Sequence, residues 1–129
     1  MLLVEDEPGI RTSLSLLLEL EGYRLSTADN GDAGLAHMDA ERPDLVITDY
    51  MMPGLDGLAM IRAMRAIPAL ADVPVLLMSG ALPADLDPLE VADAFLQKPA
   101  RIDRLVHTIQ LLLRTHGSEA DSRPRGDGV

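Results

Sequence analysis

The chain has 129 residues, a formal charge of −10 and 47 % hydrophobic residues, with one Phe, two Tyr, no Trp and no Cys. That length suits one domain, and its core must be aliphatic. The missing Cys excludes disulfides and thiolate metal sites, the acidic balance argues against nonspecific binding to nucleic acid, and no run of about 18 apolar residues offers a membrane span.

Leu2-Leu3-Val4 predicts a short buried strand that runs straight into Glu5, Asp6 and Glu7. Pro8 suits a first helical turn. Ile10, Leu14, Leu17 and Leu18 then recur at helical spacing until Gly22 stops the helix. Tyr23 to Ala28 predicts the second strand, and Asn30-Gly31 a turn into a helix through Ala33 to Ala40. Beyond Pro43, Leu45-Val46-Ile47-Thr48 is a continuous apolar strand ending at Asp49. The loop from Tyr50 to Gly57 leads into a third helix from about Leu58 to Ile67. Val73 to Met78 predicts strand four, with Ser79-Gly80 just past its end. Pro83 and Pro88 leave room in residues 81–93 for only a short helix, starting near Pro88. Ala94-Phe95-Leu96-Gln97 predicts strand five, closed by Lys98-Pro99. A final helix carries Ile102, Leu105, Val106, Ile109, Leu112 and Leu113 on one face. After His116 the composition turns to Gly, Ser, Asp, Arg and Pro, which predicts a folded unit over 1–116 and a disordered tail over 117–129.

Apolar strands alternating with helical segments imply an α/β fold, a parallel sheet with helices on both faces. Ligands of such sheets bind outside the carboxyl ends of the strands. Those ends deliver Glu5 and Asp6 from strand one, Asp49 from strand three, Ser79 from strand four and Lys98 from strand five. Three carboxylates in close quarters repel, and one would hold a raised pKa unless a cation relieved them. Mg²⁺ does this with oxygen ligands, taking one or two carboxylates and keeping several waters. His37, His107 and His116 lie at no strand end and read as surface residues.

Four blocks in order sharpen this picture: Leu3-Val4-Glu5-Asp6-Glu7-Pro8, Asp49-Tyr50-Met51-Met52-Pro53-Gly54-Leu55-Asp56-Gly57, Met78-Ser79-Gly80 and Phe95-Leu96-Gln97-Lys98-Pro99. With them the chain resembles the receiver domains of two-component response regulators over about residues 1–115. The resemblance implies a flavodoxin-like (CheY-like) doubly wound sheet of five parallel strands in the order 2-1-3-4-5. It implies a phosphoacceptor of a two-component system or phosphorelay, taking a phosphoryl group on Asp49 from phosphohistidine on a histidine kinase or histidine phosphotransfer protein. Asp6 would ligate Mg²⁺ directly and Glu5 directly or through water, with Asp49 and the backbone carbonyl of Met51 as further ligands. Lys98 would pair with Asp49 before transfer and with a phosphoryl oxygen after it. Ser79 would move onto the phosphoryl group, and Lys98-Pro99 would be a cis peptide bond.

Ser79 and Phe95 would form the switch: as the hydroxyl shifts, the ring on strand five turns inward and repacks a protein-binding face. Ile10 at the mouth of the pocket and Pro99 are candidate contacts for the donor. On this reading the chain is cytoplasmic and no enzyme beyond the self-catalysed chemistry of its own Asp. It binds proteins rather than nucleic acid or membrane, and the alternative is an interaction module that works without phosphorylation. Glu5 stands where Asp is more usual, and Ala100 where a bulky apolar residue is common. The short, Pro-bearing stretch after Ser79 is similar to that of receivers attached to hybrid histidine kinases. Haloacid-dehalogenase-type phosphatases share a strand-end Asp nucleophile but want an acid two residues on, where Met51 stands.

Overall fold

Parallel pairing decides which residues meet. β1 (Leu2–Val4) pairs on one side with β2 (Ser26–Ala28) and on the other with β3 (Val46–Asp49). β4 (Val75–Ser79) and β5 (Ala94–Gln97) follow in turn, giving one five-stranded sheet in the order β2-β1-β3-β4-β5. Fold class and strand order are therefore as expected. The computed structural model describes residues 1–117, so all but the first residue of the expected tail lies outside the described residues.

Among the described residues four helices cover the sheet: α1 (Pro8–Leu20), α2 (Gly31–Ala40), α3 (Gly57–Arg65) and α4 (Ile102–Leu112), the last running on into a π turn over Leu113–Gly117. Three begin at acidic or amide caps that satisfy otherwise orphaned amides. The Glu7 carboxylate accepts from Gly9 and Ile10, the Asn30 side chain from Ala33, and Asp56 from Ala59. Gly22, at φ +100°, turns the chain out of α1 in the left-handed conformation that glycine adopts without a Cβ penalty.

Successive strand residues point to opposite faces, so each strand feeds two cores. On one face Leu2, Val4, Val46, Val75 and Leu77 pack with Met38 of α2 and Met60, Ile61 and Met64 of α3. On the other, Leu3, Ile47, Leu76 and Met78 pack with Leu18 of α1 and Leu105, Ile109 and Leu112 of α4. Burying each such side chain contributes about 1.5–3 kcal/mol before the entropy of ordering is subtracted. Among the described residues no helix is long and apolar enough to cross a membrane.

Some expectations move. Strand two is shorter than Tyr23–Ala28, because the backbone just after α1 is spent closing the helix: Gly22 and Tyr23 donate to Glu19 and Leu18. Strand four starts at Val75, since Val73 donates back to Leu70 at the end of a 3₁₀ turn, Pro68–Leu70. In α1 only Leu18 of the expected stripe is fully buried, while Ile10 and Leu17 are 40 % and 41 % exposed. The helix instead rests on a line through half-buried Arg11 and Leu14 to Leu18. The stretch after β4 holds no α-helix, only a 3₁₀ turn at Pro88–Glu90. His107 is exposed, but His37 has its Nδ1 buried without a hydrogen-bond partner, contrary to the surface reading; the side chain of His116 lies outside the described residues.

Gly57 lies against the backbone of Asp49 and Tyr50, and its amide donates to the Tyr50 carbonyl at 2.9 Å. A Cβ there would run into both residues. Gly57→Ala should therefore cost about 1–3 kcal/mol in urea denaturation. Gly80→Ala, where no heavy atom lies within 4 Å of the added carbon, should stay within about 0.5 kcal/mol of wild type. Equal stability of the two variants would contradict this close approach.

Candidate functional site

Sheet register builds the site. Val4 pairs with Thr48, so one step further Glu5 emerges beside Asp49, at the point between β1 and β3 where the strand order reverses. The Glu5 amide donates to Ala28 at 3.0 Å, which keeps the chain extended as it leaves β1. Carboxylate oxygens of Glu5, Asp6 and Asp49 lie within 4.8 Å of one another. Glu5 is 2 % exposed, the Asp49 side chain 10 % exposed, and Asp6 half-buried at the rim.

Lys98 closes the group from β5. Its amide donates to the Ser79 carbonyl, and the Lys98-Pro99 bond is cis, as expected. The ammonium lies 3.2 Å from Asp49 Oδ2, the expected pair, and 3.0 Å from Glu5 Oε1, which the sequence did not suggest. The second oxygen of Glu5 accepts from the Glu7 amide at 3.2 Å, so the Glu5 carboxylate is held at both ends. Burial alone would push the Lys98 pKa down. The Glu5 hydrogen bond and the charges of Asp49 and Glu5 outweigh it and hold the pKa above the ordinary lysine value.

Arg11 is a participant that sequence reasoning missed. Its guanidinium donates to the Glu5 carbonyl at 2.8 Å and so ties α1 to the loop that carries the acids. Its spacing on α1 is that of any half-exposed base, and nothing in the sequence marks it. Met51, two residues past Asp49, turns its side chain 64 % toward solvent. Among the described residues nothing donates to its carbonyl oxygen. One ammonium against three carboxylates leaves a net charge of about −2, and every other available donor is oxygen. That set fits a hard divalent cation.

Ser79 is fully buried and occupied with its own loop: its hydroxyl donates to the Ala81 carbonyl at 2.7 Å and accepts from the Ala81 amide at 3.1 Å. Leu77 pairs with Phe95 and Ser79 with Gln97, so Ser79 and Phe95 are diagonal neighbours on one face of the sheet. Phe95 is half-buried against the α2/α3 core. Pro99 is exposed next to Lys98, and Ile10 sits in the first turn of α1, after the loop that carries the acids.

A family model described as the response regulator receiver domain matches residues 1–110. The transcriptional regulatory protein AfsQ1 of Streptomyces coelicolor is 36 % identical over 121 residues, covering 88 % of this chain and 51 % of its own length. The chain thus spans about half the length of the curated relatives it matches. A signal receiver domain of a signal transduction histidine kinase from Syntrophus aciditrophicus superposes with a TM-score of 0.78 at 33 % identity, covering 88 % of this chain and 89 % of that one. The response regulator protein TrrA of Thermotoga maritima, solved in complex with Mg²⁺-BeF, gives 0.78 at 34 % identity, covering 87 % and 96 %.

A raised lysine pKa contributes stability that is complete below the unfolded value, here 10.5, and is lost as pH rises through the folded one. The metal-free protein should therefore lose melting temperature as pH climbs past 10.5, and Lys98→Met should flatten that limb of the profile relative to wild type. Parallel limbs in the two proteins would show that the ammonium is not held by the two carboxylates.

Proposed function

The chain belongs to the response regulator receiver domain family, and on that premise we propose that it accepts a phosphoryl group on Asp49 from a phosphohistidine. The observation that carries this reading is the Lys98 ammonium lodged between Glu5 and Asp49, beside three carboxylates that converge from two strand ends. The Asp49 carboxylate attacks phosphorus, the phosphorus–nitrogen bond of the donor breaks, and the donor imidazole leaves with a proton. Phosphoryl transfer passes through a loose transition state, so placement and cationic stabilisation dominate. Lys98 slides from the carboxylate to a phosphoryl oxygen and follows the charge as it moves. Glu5 keeps its own hold on Lys98 throughout, which limits how far the ammonium can stray.

Asp6, Asp49 and the Met51 carbonyl would hold Mg²⁺ directly. Glu5 would do so directly or through water, its two oxygens also accepting from the Glu7 amide and Lys98. When bound, the ion neutralises the phosphoryl oxygens. Ser79 reaches the phosphoryl group only by giving up Ala81, and the space it leaves lies diagonal to Phe95. The donor, a histidine kinase or phosphotransfer protein, docks over Ile10 and Pro99 at the pocket mouth. With a charge of −10, the output of this segment runs through protein contacts in the cytoplasm rather than through DNA.

Incubation with acetyl phosphate and Mg²⁺ should add the mass of one phosphoryl group to the wild-type chain. Asp49→Asn should gain nothing, and chelation of the metal should abolish labelling. A wild type that stays unmodified, or a variant that labels equally well, would overturn the assignment.

A further inference from the structure

Glu5, buried at the end of β1, has a partner at each of its polar atoms. Its amide donates to the Ala28 carbonyl at 3.0 Å, and its two carboxylate oxygens accept from Lys98 and from the Glu7 amide. Its carbonyl accepts from Arg11 Nη1 at 2.8 Å. Asp6, the next residue, is the opposite case. Among the described residues nothing bonds to its amide or to its carboxylate, although a carboxylate oxygen of Asp6 lies within 4.8 Å of those of Glu5 and Asp49.

The direction in which Asp6 leaves the chain is therefore set by the peptide that joins it to Glu5. A peptide unit is planar, so the Glu5 carbonyl and the Asp6 amide turn together. Among the described residues a single bond holds that plane, the one from Arg11, because the amide half is free.

The base that makes this bond has no other polar contact through its side chain. Arg11 is half-buried in the first turns of α1, where its own amide donates to the Glu7 carbonyl at 2.9 Å. Nη1 is the one nitrogen of its guanidinium with a partner among the described residues. Guanidinium groups bond most strongly to carboxylates. This one holds a neutral carbonyl instead, although that carbonyl joins two acids, Glu5 and Asp6.

We propose that Arg11 is a positioning residue for the cation site: by fixing the Glu5–Asp6 peptide it aims the Asp6 carboxylate at the point where Glu5 and Asp49 converge. The proposal rests on the reading of these three acids as a Mg²⁺ site. Arg11 itself does not touch the ion. Its charge and its placement act with opposite signs. A positive charge nearby repels a divalent cation, whereas an outer partner that orients a ligand raises affinity. Mg²⁺ demands near-ideal octahedral geometry and tolerates a swung ligand poorly. Loss of the bond therefore weakens binding even though a repulsive charge goes with it.

The test is a Mg²⁺ titration of the ¹⁵N-labelled chain, with Arg11→Met set against wild type. The variant should bind Mg²⁺ about tenfold more weakly. In the metal-free state its Asp6 amide should lose order, while amides in β1 and β3 keep order parameters of about 0.85. Arg11→Lys, which keeps the charge and a donor, should bind more tightly than Arg11→Met. Arg11→Gln, polar and compatible with a helix, is read in the same way as the Met variant should that one not fold. Unchanged or tighter affinity in Arg11→Met, an Asp6 amide as ordered as in wild type, or a Lys variant no better than Met would each overturn the proposal. A wild type that shows no saturable response overturns the cation-site reading, and the proposal with it. A wild type that binds Mg²⁺ yet gains no phosphoryl group counts against the phosphoacceptor reading alone.

Discussion

The Lys98 ammonium, 3.0 Å from Glu5 and 3.2 Å from Asp49, is the contact on which the arrangement of this domain turns. Carboxylates held within 4.8 Å of one another repel by about 3–4 kcal/mol per pair at an effective dielectric constant of 20. A fold that buries Glu5 and nearly buries Asp49 beside Asp6 must offset that repulsion. Lys98 does so for two of the three acids and leaves a negative remainder. That negative remainder suits a divalent cation, whose charge would in turn offset that of a phosphoryl group.

The scaffold holds these charges against their own repulsion. Parallel strands fix Glu5 beside Asp49 through a register set by apolar residues on both faces, which a one-residue slip would turn inside out. Arg11 ties the backbone of Glu5 to α1, and Gly57 lets the loop after β3 return close against Asp49. The Asp56 cap of α3 anchors the far end of that loop. Side chains that carry charge are thus held by backbone that has little freedom, which suits chemistry dominated by positioning.

Strand ends were readable in the sequence because each buried strand stops where an acid, a hydroxyl or a lysine begins, and a parallel sheet gathers those ends on one rim. The Glu5–Lys98 pair was not readable: the two residues are 93 apart, on strands that are not neighbours in the sheet. The stripe on α1 misled because Leu14, Leu16, Leu17, Leu18 and Leu20 crowd more than half the helix circumference. Apolar spacing alone could not say that Leu17 faces out. The weak crossover after β4 was legible for a local reason, since Pro83 and Pro88 remove the amides that a helix there would need. The engagement of Ser79 with Ala81 was hidden, since a serine at a strand end reads the same whether its hydroxyl is idle or bound.

One end of the sheet holds a rigid charge pair, and beside it lies a crossover without a helix, joined to it through Ser79. Any signal from the pocket therefore has a short path to a thin part of the structure. All of it presupposes that the acidic remainder around Lys98 is a cation site. Titration of the ¹⁵N-labelled wild-type chain with Mg²⁺ examines that point most directly. Saturable shifts confined to the amides of Glu5, Asp6, Asp49, Met51 and Lys98 and their immediate neighbours are the expected result. Absence of saturation, or shifts spread evenly over the acidic surface, would contradict it.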